Sequence, residues 1–142
     1  MGTWDIGPFD NDTAADWSGA LDDASSADAR RDLVLAALTR AADTTGYLDS
    51  DLGEEAVAAA ALVAAQCPGG EPVDSAYGPR EPVPDLTGLR APALRALDRV
   101  LTEPSELLEL WAESDSASWK AAVDRLRAAL AGRPAADRPT PA

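Results

Sequence analysis

The sequence predicts an all-α fold, a compact single-domain bundle of five to six helices with a Pro/Gly-rich connection in its middle. Three observations carry this. Ala, the strongest intrinsic helix former, supplies much of the 46% apolar content, and β-branched residues are few. Leu, Val and Trp recur at spacings of three and four residues over most of the chain. No stretch alternates apolar and polar residues convincingly enough to form a sheet.

The elements follow in order. Residues 1–12 read as an N-terminal arm, held down by Trp4, a Gly7-Pro8 turn and Phe9. Asp10, Asn11 and Asp12 offer N-caps for a first helix over Thr13–Leu21, with Trp17 and Leu21 on one face. Ser25 and Ser26 before Asp28 open a second helix that runs to about Ala42. Its inward face reads Leu33, Ala37, Leu38 and Ala41, with Arg30, Arg31 and Arg40 solvated. Asp51 with Glu54 three residues on reads as a capping box for a third helix, which ends near Gln66. Val57, Ala60, Ala61, Val63 and Ala64 make that helix apolar nearly all round, which predicts the buried centre of the fold.

Residues 67–90 then form the connection, where Pro68, Pro72, Pro79, Pro82 and Pro84 preclude a regular helix and Tyr77 is an expected anchor. A fourth helix has Pro92 in its first turn and Leu94, Leu97 and Leu101 inward. The fifth covers Ser105–Glu113 with Leu107, Leu108 and Trp111 inward. Ser116 caps the last, where Trp119, Val123, Leu126 and Leu130 share a face and Gly132 lies just past the end. The Pro-rich tail 133–142 reads as disordered.

Charge bounds the function. The formal net charge is −13, and residues 1–65 hold thirteen acidic side chains against Arg30, Arg31 and Arg40. Nucleic acid and anionic membrane both demand cationic surface, so neither is an expected partner. No apolar run approaches the ~18 residues of a membrane span. No basic-apolar leader opens the chain, so the expected location is cytoplasmic. Eleven Arg against one Lys, with abundant Ala, Gly and Pro, suggest a high-GC bacterial genome.

Several chemistries are excluded outright. The chain has no His, which removes Ser-His-Asp and Cys-His catalysis and His-ligated metal sites. Cys67, the lone cysteine, precedes Pro68 and has nothing nearby to activate it. An EF-hand starting at Asp10 would need Gly at Ala15 and Glu at Leu21; one starting at Asp43 would need Gly at Leu48. Both fail. No cofactor and no metal are expected, and the adjacent pairs Asp22/Asp23 and Glu54/Glu55 read as solvated charge.

Three blocks give the chain a family resemblance. The first is Met1-Gly2-Thr3-Trp4, then Gly7-Pro8-Phe9-Asp10-Asn11-Asp12 and Ala15-Asp16-Trp17. The second is Tyr47-Leu48 with Glu55-Ala56, Ala60, Ala61 and Ala65. The third is Ser105-Glu106-Leu107, Leu110-Trp111 and Trp119. In these the chain resembles the small bacterial proteins grouped as domain of unknown function 4259, with Asp5 where Gly is expected. The resemblance implies a compact, mostly helical domain and no particular activity.

The leading functional expectation is a non-catalytic protein-interaction module, immunity-like or inhibitory, that shows its acidic first half to an unidentified, basic protein partner. The alternatives use the remaining candidate binding residues. Asp10, Asp12 and Asp16 would serve a carboxylate-based, metal-dependent enzyme, with Asn11 a further oxygen donor in the cluster, although helix capping is the leading account of these residues. Trp4, Phe9, Trp17 and Trp111 would line an aromatic pocket for a small ligand, or else fill the core.

Overall fold

The computed structural model describes residues 12–67, 84–113 and 116–131. Six helices order these residues: α1 (Asp12–Asp23), α2 (Ala27–Ala42), α3 (Ser50–Ala65), α4 (Arg90–Val100), α5 (Glu106–Ala112) and α6 (Ser116–Leu130), with a 3₁₀ turn at Thr87–Leu89 ahead of α4. The all-α architecture is the one the periodicity predicts. The arm, most of the connection with Tyr77, Gly132 and the tail lie outside the described residues.

α3 is the axle of the bundle. It contacts all five other helices, while α2, α3 and α4 pack most extensively on one another. Eleven of its sixteen residues are buried: Gly53, Glu54 and the run Ala56–Ala64. Alanine contributes little apolar area but lets neighbouring backbones come close. The larger energy comes from Leu21, Leu38, Leu48, Leu86, Leu97 and Leu130, all fully buried. Each such leucine contributes roughly 1.5–3 kcal/mol relative to an exposed one.

Several local expectations shift by a residue or a face. α2 turns Val34, not Leu33, into the core beside Ala37, Leu38 and Ala41. α4 buries Ala93, Ala96, Leu97 and Val100, leaving Leu94 and Leu101 half-buried at the rim. α6 buries Trp119, Val123, Ala129 and Leu130, with Leu126 at the edge. Ser116 stands inside α6 as its first residue.

Caps explain the element boundaries. Ser26 accepts the Ala29 N–H at 3.1 Å and starts α2; Ser105 accepts the Leu108 N–H at 3.4 Å and starts α5. α3 begins at Ser50 after Asp49, which makes no side-chain cap, so Asp51 belongs to the first turn rather than preceding it. The orphan Ser50 N–H instead donates to Glu106 Oε1 at 2.8 Å, from α5. The connection also proves shorter than expected at its far end. Gln66, just past α3, donates to the Pro84 carbonyl at 2.8 Å and accepts the Leu86 N–H at 2.7 Å, seating Leu86 in the core. Asp85 Oδ1 then accepts from both the Thr87 N–H and hydroxyl, at 3.0 and 2.7 Å, and starts the 3₁₀ turn.

One feature breaks the purely helical pattern. Leu48 and Ser105 form an isolated parallel β-bridge, in which Leu48 N–H donates to Pro104 O and Glu106 N–H to Leu48 O, at 3.1 and 2.9 Å. The bridge joins the α2–α3 and α4–α5 connections, and the Glu103–Pro104 peptide beside it is cis.

Candidate interaction surface

Three arginines, Arg30, Arg90 and Arg99, bond backbone carbonyls. α1 has no basic residue in its last turn. Arg30 of α2 supplies the charge instead, donating to Leu21 O at 3.2 Å and Ala24 O at 3.0 Å. Arg30 is accordingly half-buried and not the solvated residue expected. Arg90 donates to Leu130 O at 2.9 Å and closes α6 in the same way. Arg99 donates to Thr44 O at 3.0 Å, Thr102 O at 2.9 Å, Pro104 O at 3.2 Å and the Gly46 carbonyl. Arg40 pairs with Glu55 at 3.0 Å, and Arg127 with Asp98 and Asp124 at 2.7 and 3.4 Å.

The carboxylates point the other way. Asp16, Asp23, Asp28, Asp32, Asp43, Asp49 and Asp51 are all exposed. Glu103, Glu109 and Glu113 add to this surface from the second half. Against them stand the exposed cations Arg40, Arg90, Arg95, Lys120 and Arg125, so the exterior of the described residues is net negative.

Tyr47 stands out on that exterior. It is 50% exposed, the exposed large apolar residue among those described, and its hydroxyl donates to Glu109 Oε1 at 3.1 Å. Partial desolvation, the Glu109 hydrogen bond and the negative charges of Glu109, Glu106 and Asp49 hold its phenol above the ordinary value of 10.0. Tyr47 belongs to the second block of the family resemblance, but its meeting with Glu106 and Glu109, about sixty positions away, is visible only in the fold.

The residues nominated from sequence do not form one site among those described. Trp4, Phe9, Asp10 and Asn11 lie outside the described residues, and Asp12 opens α1. Asp16 is exposed on α1, whereas Trp17, the next residue, is 6% exposed and part of the core. Its indole N–H is buried without a hydrogen-bond acceptor. Trp111 is half-buried and stacks on Trp119, with ring centroids 6.1 Å apart and planes 5° from parallel. Trp17 and Trp111 thus serve different parts of the core, α1 against α3 and α5 against α6. Among the described residues, no group of three or more Asp, Glu or Cys is placed to hold a metal ion.

The pair Glu54/Glu55 is not the solvated charge expected. Glu54 is 7% exposed within α3, and Glu55 is half-buried. Burial pushes the Glu55 carboxyl up, Arg40 draws it back down, and the charge of Asp51 one turn earlier raises it again. Asp22 is likewise half-buried. The cause is helix phase: α3 is surrounded, so even its polar positions meet a neighbour.

No described helix is long and apolar enough to cross a membrane. No curated protein and no solved structure matches the chain. A family model does match, over residues 2–122, and it spans every part of the fold described above except the last turns of α6. On that match, the chain belongs to the family of the domain of unknown function 4259.

Proposed function

We propose that this protein is a non-catalytic interaction module that uses its acidic exterior to engage a basic protein partner, in the manner of an immunity or inhibitory protein. One observation carries the reading. Arg30, Arg90 and Arg99 are turned onto backbone carbonyls, while Asp16, Asp23, Asp32, Asp43 and Asp49 face solvent with no ion pair among the described residues. A surface of one sign steers a partner of the other. The rigid helical frame suits such recognition, since little has to be ordered on binding. The reading takes the bacterial cytoplasm as its setting.

The test is capture from host lysate at low ionic strength, followed by elution with salt. The wild-type chain retains a basic protein that elutes as the Debye length shrinks toward and below ~10 Å. A variant carrying Asp16→Asn, Asp23→Asn, Asp32→Asn and Asp43→Asn keeps its helicity and loses that protein. Capture indifferent to both salt and neutralisation would sink the proposal.

A further inference from the structure

We propose that residues 44–50 and 102–109 form a single polar latch that opens as a unit, with α5 as its moving part and Arg99 as its pin. Apart from the short bonds of Arg99 to Thr102 and Pro104, the ties join segments distant in sequence. Arg99 of α4 reaches Thr44 and Gly46 on one side and Thr102 and Pro104 on the other. Leu48 is bonded both to Pro104 O and to Glu106 N–H. Glu106 caps α3 through Ser50 N–H at 2.8 Å, and Tyr47 is tied to Glu109 at 3.1 Å.

These ties are coupled because they share donors. One guanidinium satisfies carbonyls of both connections, so drawing either segment away strands the hydrogen bonds of the other. α5 has only seven residues, too short to persist as a helix without tertiary contacts. Its apolar hold is Leu107 and Leu108, with Leu107 packed over Gly53, where no side chain of α3 intervenes, and Trp111 stacked on Trp119 of α6, a stack that parts when α5 moves. Release therefore uncovers the first turn of α3 and frees Tyr47 together, and it leaves the Ala-rich middle of α3 packed. Sub-global opening of this kind is the behaviour of a short element at the edge of a bundle, docked by polar ties and the three apolar side chains Leu107, Leu108 and Trp111.

Native-state hydrogen exchange on the full chain tests this, with the amides of Leu48, Ser50 and Glu106 as reporters and those of Ala60 and Val63 as the global reference. The three reporters share one opening equilibrium, more accessible than that of the reference pair. Arg99→Ala accelerates all three by a common factor of roughly tenfold or more relative to the reference, the scale of losing charge-assisted bonds. Should Arg99→Ala fail to fold, Tyr47→Phe removes only the outermost tie and accelerates the same three in concert by a smaller factor. Acceleration of Leu48 alone, or of reporters and reference in equal measure, overturns the latch.

Discussion

Glu106 and Ser50 lie fifty-six positions apart, yet the Glu106 carboxylate accepts the backbone N–H that opens the central helix, at 2.8 Å. An N-cap is ordinarily supplied by the residue just before a helix. Here Asp49 occupies that place without making the bond, and α5 delivers the acceptor from across the bundle. A negative group at the start of α3 also meets the positive end of its dipole.

Removing that acceptor has a measurable cost. Glu106→Ala is expected to destabilise the fold by about 0.5–2 kcal/mol, the range for a lost cap. Asp49→Ala, at the formal N-cap, is expected to change stability by less than about 0.5 kcal/mol, as at an ordinary surface site. Urea denaturation of the two variants in parallel checks the order; equal losses would return the cap to its local residue.

The packing of α3 sets opposite outcomes for two enlargements. A Cβ at Gly53 would meet Leu107 Cβ and Cδ2 at 3.4 Å, ordinary contact rather than overlap. Gly53→Ala is therefore expected to stabilise by up to about 1 kcal/mol through helix propensity. Ala60, fully buried, has no such allowance, and Ala60→Leu is expected to cost about 1–3 kcal/mol. Guanidinium midpoints measured on both variants decide it.

Two carboxylates give the pH profile opposite slopes. The Glu55 carboxyl is raised above 4.5 by burial, so the native state binds its proton more tightly than the unfolded chain does. Its stabilising contribution is whole at low pH and is lost as pH rises from about 4.5 through the folded value. Asp85 is held below 3.8 by its bonds from the Thr87 N–H and hydroxyl. Its contribution is present above 3.8 and is lost as pH falls through the lower folded value. Glu55→Gln is expected to remove the loss on the rising side, and Asp85→Asn to flatten the acid limb. Stability curves taken from pH 3 to about pH 7 distinguish them.

Cys67 is 6% exposed, and its thiol points to Val63 O at 3.4 Å. Reaction with an aromatic disulfide reagent is expected to be slow in buffer and complete within mixing time in denaturant. Fast labelling of the folded protein would place Cys67 at a surface the structure does not give it.

Much of the architecture was legible because it depends on local pattern. The Ser26 cap, the apolar circumference of α3 and the Trp119–Val123–Leu130 stripe all lie within a few helical turns, where spacing determines geometry. The failures have one physical source. Val34 replaces Leu33, Glu54 goes inside and Arg30 turns inward because the neighbouring helix, absent from any local window, decides which face is covered. The acidic surface was legible only as a sum. Nothing in the spacing of Tyr47, Glu106 and Glu109 foretells that they meet.

By itself, then, the sequence determined the helical class, the central place of α3, the negative charge and the absence of histidine chemistry. These follow from composition and from periods of a few residues, which hold in any folded arrangement of the chain. Only the tertiary structure decided that Glu106 caps α3, that Arg99 binds two connections together and that Arg30 turns onto the end of α1. Those relationships join groups separated by tens of residues, and their geometry exists only once the helices have packed.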